Sequence, residues 1–222
     1  MIAPKSNAEF VAAMEDVLEV YAREPDPARP LVCMDECSKQ LTREVNDPLA
    51  AKPGRSACVD YEYERNGTAA IFCAVAPHLG WRHVEERERR TRVDYAQFLR
   101  KLADEYFPRA ERIVLVQDNL NTHNPASLYE AFAPAEAARI KARFEFHYTP
   151  KHGSWLNIAE IELSVLGRNC LARRIPDRAT LAAEIAAWER ERNQSAAHIR
   201  WHFTTADARI KLFKLYPSFH AG

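Results

Sequence analysis

The stretch Ile113-Val114-Leu115-Val116-Gln117-Asp118-Asn119 decides the fold of this chain. A run of aliphatic residues of this length predicts a short strand that is buried on both faces. The aspartate that follows leaves the core at a fixed, rigid point. Leu31-Val32-Cys33-Met34-Asp35-Glu36 repeats the pattern, because an acidic pair closes another apolar run. Asp118 and Asp35 are therefore candidates for a site built at the ends of two strands.

A third acidic residue, Glu160, closes the segment Gly153-Ser154-Trp155-Leu156-Asn157-Ile158-Ala159-Glu160, which leads into a predicted helix. Carboxylates on rigid elements hold hard divalent cations such as Mg²⁺, which prefer oxygen ligands. Two such ions held by Asp35, Asp118 and Glu160 would suit phosphoryl transfer on nucleic acid. The three acids therefore predict a metal-dependent site.

The two aspartates also have simpler interpretations. An aspartate after a strand often forms a turn or caps a helix, and this applies to Asp118. Glu36 competes with Asp35 for the site. Because neighbouring residues of a strand point to opposite faces, only one of these two side chains can face it.

Glu160 has a competitor on the same predicted helix. Glu162 lies about 200° around the helix axis from Glu160. Leu156 and Leu163 share the face of Glu160. We therefore expect this face to be partly buried, which favours Glu160 as the inward ligand.

The composition predicts a globular protein of one domain. The chain has 222 residues, of which 47% are hydrophobic and 28% are charged, so a packed core is expected. No apolar run approaches the roughly 18 residues of a membrane-spanning helix, and the first residues lack the pattern of a signal peptide. The irregularly spaced cysteines do not predict disulfides, and Cys33 with Cys37 does not favour a zinc site. The expected location is the reducing cytoplasm.

The net charge of zero argues against a protein that coats nucleic acid, but it permits a local basic patch. One arginine cluster is interleaved with glutamates, which favours a solvated, salt-bridged face. Its members are Arg82, Arg87, Arg89, Arg90 and Arg92. A second cluster follows the Glu160 helix and contains few acids, so it suits phosphate contacts as well as it suits a plain surface. Its members are Arg168, Arg173, Arg174 and Arg178.

Hydrophobic periodicity predicts an α/β fold with a mixed five-stranded sheet flanked by helices. Residues 1–28 are expected to form an N-terminal linker helix, and residues 29–222 the main domain with further C-terminal helices. Residues 39–53 are expected to be an irregular surface excursion. Asn66-Gly67 predicts a two-residue hairpin turn. The predicted strands are 30–36, 59–64, 68–76, 113–117 and 144–148. The predicted helices are 6–21, 95–106, 126–132, 155–171, one from about 177, and 206–215.

Five segments of the chain, taken in order, carry a family resemblance. They are residues 35–36, 63–68, 117–123, 148–160 and 203–209. Together they resemble the catalytic domain of DDE transposases, in the bacterial insertion-sequence branch of the mariner-like superfamily. The resemblance implies a ribonuclease H-like fold. In that fold the first acid lies on the first strand, the second follows the fourth strand, and the third lies on the helix after the fifth.

The resemblance also implies the chemistry of the site. It selects Asp35 over Glu36 and implies that Asp35 and Asp118 share one Mg²⁺ or Mn²⁺, while Glu160 helps to hold a second ion. The implied reaction is DNA strand cleavage followed by transfer of the cut end to target DNA. Asn119 and His123 are candidates to order the loop of the second acid or to touch the scissile phosphate. A simpler role as hydrogen-bonded polar residues of this loop fits them at least as well.

The implied partner is DNA, as element ends and target, bound by a homodimer. The candidates for DNA contact are Lys151, His152, Arg168, Arg173 and Arg174. Lys151 and His152 fit a plain loop surface equally well. Relatives of this kind usually carry N-terminal helix-turn-helix domains, for which this sequence is expected to lack room. Two alternatives therefore stay open: a ribonuclease H-like nuclease that only hydrolyses, and a truncated, non-catalytic regulator of intact transposase.

Overall fold

The computed structural model describes residues 7–46, 49–56, 58 and 61–217. Its centre is a five-stranded sheet in the order β3-β2-β1-β4-β5. β1, β2 and β3 pair antiparallel, whereas β4 and β5 run parallel to β1. The mixed five-stranded sheet that the sequence predicts is therefore confirmed. The strands are β1 Leu31–Glu44, β2 Tyr63–Ala76, β3 Trp81–Arg87, β4 Ile113–Gln117 and β5 Phe144–Tyr148.

Helices cover both faces of this sheet. α2, α3 and α4 pack on one face, and α1, α5, α6 and α7 pack on the other. The helices are α1 Ala8–Tyr21, α2 Arg92–Lys101, α3 Ser127–Ala131, α4 Pro134–Ala142, α5 Ile158–Asn169, α6 Arg178–Gln194 and α7 Thr205–Lys211. A π-helical turn, Leu102–Tyr106, extends α2. None of the described helices has the length and hydropathy needed to cross a membrane.

The alternation of side chains along β1 assigns its residues to the two layers. Val32 and Met34 join the core under α2 and α3. Leu31 and Cys33 join the core under α1 and α5. Even-numbered residues of β1 thus face one helical layer and odd-numbered residues face the other. This alternation continues into the candidate site.

The predicted hairpin at Asn66-Gly67 is wrong. Both residues lie inside β2, where Gly67 has a φ of 86° and β1 shifts its pairing register between Gln40 and Thr42. A β-bulge therefore absorbs the left-handed glycine, and pairing with β1 continues on both sides of it. Part of the predicted strand 59–64 lies outside the described residues, because positions 59 and 60 are not described.

The chain turns at the end of β2 instead. A single 3₁₀ turn, Pro77–Leu79, leads to Gly80, whose φ is 61°. A Cβ on Gly80 would lie 2.7 Å from the backbone of Ala196, so this position requires glycine on two grounds. The strand that follows, β3, is formed by the segment predicted to be a charged face. The excursion predicted for residues 39–53 is wrong for 39–44, which belong to β1.

Arg82 departs furthest from the solvated role predicted for its cluster. Its side chain is fully buried and its Nε lies 3.0 Å from Glu162 of α5, whose carboxylate also binds Arg192 of α6. Arg82 further donates to the carbonyl oxygens of Gly80 and Ala197. The pair therefore ties β3, α5 and α6 together. The interleaved glutamates do form salt bridges with the neighbouring Arg87 and Arg89.

The second arginine cluster is also more paired than its sequence suggests. Arg173 binds Glu184, and Arg174 binds Glu44 and stacks over the ring of Tyr63. These acids come from α6 and β1, so sequence distance concealed them. Arg168 is exposed at the end of α5.

Candidate active site

Asp35 lies on β1 where this strand runs beyond the end of β4. The register pairs Cys33 of β1 with Val116 of β4. Two residues beyond this pair, Asp35 comes beside Asp118, which directly follows β4. As an odd-numbered residue, Asp35 faces the layer of α5. Burial raises the pKa of Asp35 to about 7. The charge of Asp118 adds to this rise, while a hydrogen bond from the backbone N–H of Glu36 opposes it.

Asp118 begins the loop after β4, and its carboxylate is held on one side. Its Oδ1 accepts from Nδ1 of His123 and from the backbone N–H of Leu120. Within the described part of the chain no hydrogen bond reaches Oδ2. Burial would raise the pKa of this carboxyl, but the contacts with His123 outweigh burial and lower it. Asp118 is thus ionised, with one oxygen free.

Asn157, the N-cap of α5, anchors the helix that carries Glu160 to β1. The fully buried Asn157 donates from Nδ2 to the carbonyl of Met34 and accepts from the N–H of Ala159 at Oδ1. Met34 directly precedes Asp35. The first turn of α5, which carries Glu160, is therefore fixed against β1 beside the aspartates.

The choice between Glu160 and Glu162 follows from burial. Glu162 is buried in its ion pairs with Arg82 and Arg192, so it is committed to the fold. Glu160 is exposed, and this corrects the expectation that its face would be partly buried. Although Leu156 is buried, the turn of the helix leaves Glu160 open to solvent. Of the two carboxylates, the open one of Glu160 is therefore the one that can bind a ligand.

His123 is buried behind Asp118 rather than exposed to a substrate. Its ring stacks near Tyr95 with centroids 5.0 Å apart, and its Nε2 lies 2.5 Å from Oε2 of Glu36. Burial would lower the pKa of His123, but Asp118 and Glu36 outweigh burial and raise it to about 9. This geometry supports an ordering role for His123 and disfavours contact with the scissile phosphate.

A cleft of about 390 Å³ opens beside Asp118. The loop 118–121 forms one wall, with Asn119 exposed on it, and Thr149, Pro150, Lys151, His152 and Ser154 form the other. His152 has a φ of 66°, which is uncommon for a residue with a side chain. A Cβ on Gly153 would lie 2.5 Å from the ring of Pro150, so this wall is tightly turned. Lys151 and His152 thus stand at the cleft on a fixed loop.

A cation also lies close to the acids. Arg90 is exposed in the segment between β3 and α2, and its charge lowers the pKa of both Asp118 and Cys37. No ion pair of Arg90 occurs among the described residues. The sequence pattern predicts a salt-bridged face for Arg90, because Asp118 is distant along the chain and nothing in the sequence indicates that the two residues are close in space.

The donor set fits a divalent cation that prefers oxygen. Asp35, Asp118 and Glu160 are carboxylates, and Mg²⁺ is commonly bound through one or two carboxylates together with water and substrate phosphates. The free Oδ2 of Asp118 and the exposed Glu160 are available for such contacts. Among the described residues, no three His, Cys, Asp or Glu side chains are already converged around one point.

Comparisons with known proteins identify the family and the fold of the chain. A family model described as DDE superfamily endonuclease matches residues 30–182. A pre-cleavage Mos1 transpososome superposes with a TM-score of 0.58 at 14% identity, covering 99% of this chain and 66% of that one. The Mos1 strand transfer complex gives 0.58 at 14%, covering 96% and 62%. The catalytic domain of Mos1 mariner transposase gives 0.52 at 12%, covering 89% and 96%.

At these identities the solved structures establish the fold. The chain spans less than two thirds of the chains in the Mos1 complexes but nearly all of the isolated catalytic domain. No curated protein matches the chain significantly. The ribonuclease H-like arrangement that the sequence predicts is therefore confirmed.

Proposed function

Because this chain belongs to the DDE superfamily of endonucleases, we propose that it is the catalytic domain of a transposase, which cuts DNA strands and transfers the cut end to target DNA. One observation carries the proposal. Asp35 lies close to Asp118 where the pairing of β1 with β4 ends, and the Asn157–Met34 hydrogen bond fixes the first turn of α5, which carries Glu160, against β1. This arrangement supports a single site served by carboxylates from three separate elements.

Each acid has a role in this proposal. Asp35 and the free Oδ2 of Asp118 would hold one divalent ion together, and Glu160 would help to hold a second. Bound Mg²⁺ or Mn²⁺ ions would activate the attacking oxygen and stabilise the leaving oxygen of an in-line displacement. The chain's own part is positioning, which supplies most of the catalysis in phosphoryl transfer. Solved Mos1 paired-end complexes contain Mn or Mg, which supports this use of metal.

DNA is the proposed partner. A site lined by acids repels phosphate unless cations stand near it. Lys151 on the cleft wall and Arg90 near Asp118 meet that need, and His152 offers a further polar contact at the cleft. Arg168 is exposed and remains a candidate for backbone contact. Arg173 and Arg174 are held by glutamates, so we assign them a weaker part. The paired-end and strand-transfer complexes solved for Mos1 support DNA as the partner. We propose element ends and target as this DNA and a homodimer as the active form, as the family resemblance implies.

The products of the reaction test this proposal against a nuclease that only hydrolyses. A labelled duplex with a pre-nicked end is incubated with the chain and Mn²⁺ in the presence of unlabelled target DNA. We expect labelled strands joined to the target. Fragments without joined product would support the hydrolytic nuclease. Metal binding without either product, combined with suppression of an intact relative, would support the non-catalytic regulator.

Lys151→Ala is expected to weaken DNA binding several-fold and to reduce the salt dependence of the binding constant by about one phosphate contact. The reason is that Lys151 is exposed on the cleft wall, with no ion pair in the described part of the chain. The measurement is DNA affinity by fluorescence anisotropy at several salt concentrations. Lys141→Ala is the matched control, because it removes an exposed lysine of α4. It should leave the DNA affinity and its salt dependence unchanged. An unaltered salt dependence for Lys151→Ala would remove this residue from the DNA-contacting surface.

A further inference from the structure

A buried carboxylate lies directly behind the proposed metal site. Glu36 follows Asp35 on β1 but faces the opposite helical layer, with Val32 and Met34. Its side chain is only 2% exposed. Oε2 lies 2.5 Å from Nε2 of His123, but neither carboxylate oxygen makes an aligned hydrogen bond in the described part of the chain. A buried carboxylate whose oxygens lack aligned hydrogen bonds requires an explanation other than stabilisation of the fold.

The contact of Glu36 leads through the ring of His123 to Asp118. Nε2 of this ring meets Glu36, and Nδ1 meets Oδ1 of Asp118. Surrounding residues fix the ring in place, because it packs against Tyr95 and its backbone carbonyl accepts from Gln117. The hydroxyl of Tyr95 in turn donates to Gln117. The ring of His123 is therefore a fixed link between Glu36 and Asp118.

This connection reaches only one side of the Asp118 carboxylate. His123 and the N–H of Leu120 both contact Oδ1. Oδ2 accepts no hydrogen bond among the described residues, and Asp118 lies close enough to Asp35 for its charge to raise the pKa of that residue. Partners of this kind orient metal-binding carboxylates and tune their affinity.

We propose that Glu36 is a positioning residue, which acts through His123 to hold Asp118 with its free oxygen toward the metal. This inference rests on the proposed function, in which Asp118 is a metal ligand. Glu162 shows how a purely structural buried acid differs. Its two oxygens are both bound by arginines, Arg82 and Arg192, that tie together elements of the fold. The side chain of Glu36 instead makes its polar contact with the imidazole ring of His123, which also contacts Asp118.

The test measures Mn²⁺ binding by electron paramagnetic resonance, without DNA and with a nicked duplex. Glu36→Gln keeps the size of the side chain and removes its charge. We expect Mn²⁺ affinity to fall by about 10–100-fold, the usual effect of losing a partner of a metal ligand. Glu145→Gln is the matched control. Glu145 pairs with Arg23 and Arg29 at a surface outside the site, and its variant should bind Mn²⁺ like wild type.

A double-mutant cycle tests the route through the ring. The amide of His123→Asn can still donate to Asp118 but cannot reach Glu36. We therefore expect His123→Asn to bind Mn²⁺ better than His123→Ala, and Glu36→Gln to have little further effect in the His123→Asn background. Full additivity of the two changes would overturn the proposed route.

The remaining outcomes separate this inference from the proposed function. Glu36→Asp, which shortens the side chain, should reproduce the loss if Glu36→Gln fails to fold by circular dichroism. Wild-type Mn²⁺ binding together with unchanged affinity in folded Glu36 variants would overturn the role of Glu36 and leave the proposed function standing. Absence of Mn²⁺ binding by wild type in both conditions would overturn both.

Discussion

Asp118→Asn is expected to reduce metal-dependent DNA cleavage by about a thousandfold or more. A bound metal contributes several kcal/mol to stabilising the transition state, and each 1.36 kcal/mol corresponds to a tenfold change in rate. Asparagine keeps the size of the side chain, and its carbonyl oxygen can still accept from His123 and Leu120. The loop should therefore stay in place while the anionic oxygen that would bind metal is lost.

The measurement is the single-turnover rate on a nicked duplex at several Mn²⁺ concentrations. Asp104→Asn is a matched control, because it is the same chemical change in an aspartate that pairs with Arg139 on the surface. The control should cleave at the wild-type rate. Cleavage by Asp118→Asn within about tenfold of wild type would show that Asp118 does not bind the catalytic metal.

Glu162→Gln is expected to lower the free energy of unfolding by about 3–5 kcal/mol, the usual cost of removing one partner from a buried ion pair. The variant would leave the fully buried Arg82 next to Arg192 without a compensating charge. For a domain of this size the loss corresponds to a melting temperature about 6–20 °C lower. The comparison is made by urea and thermal denaturation.

Glu145→Gln again supplies the control, because it removes a carboxylate paired with two half-exposed arginines. Exposed pairs contribute less than about 1 kcal/mol. If Glu162→Gln is no less stable than Glu145→Gln, the buried cluster does not secure β3, α5 and α6. A Glu162→Leu, Arg82→Met double variant should recover part of the loss, because it removes both buried charges.

The sequence predicts Asp35 and Asp118 because each follows an apolar run, a local pattern that survives into the fold. It predicts the five-stranded sheet for the same reason. The hairpin prediction is wrong because the turn preference of Asn66-Gly67 is a local property, which the pairing with β1 on both sides of these residues overrides. β3 was missed because its charged residues resemble a solvated surface, although an outer strand of a sheet commonly carries such charges.

The buried groups around the site were harder to predict, because each depends on distant partners. Glu36 meets His123 across 87 positions of the chain, the difference between their residue numbers. Arg82 meets Glu162 across 80 positions. Hydrophobic periodicity assigns a strand residue to one face of the sheet, but it does not show which charged residue of another element lies against that face. The general preference of charged residues for solvent therefore led to the wrong environment for Arg82.

Asn157 limits which substitutions the chain can accept beside its acids. Its side-chain amide donates a hydrogen bond to the carbonyl of Met34 and accepts one from the N–H of Ala159, in a space closed to solvent. Aspartate would keep the acceptor but set a negative charge against a carbonyl, and leucine would fill the volume while meeting neither need. Hydrogen-bond polarity therefore restricts the substitutions that the structure accommodates at position 157, even though the side chain is enclosed by protein.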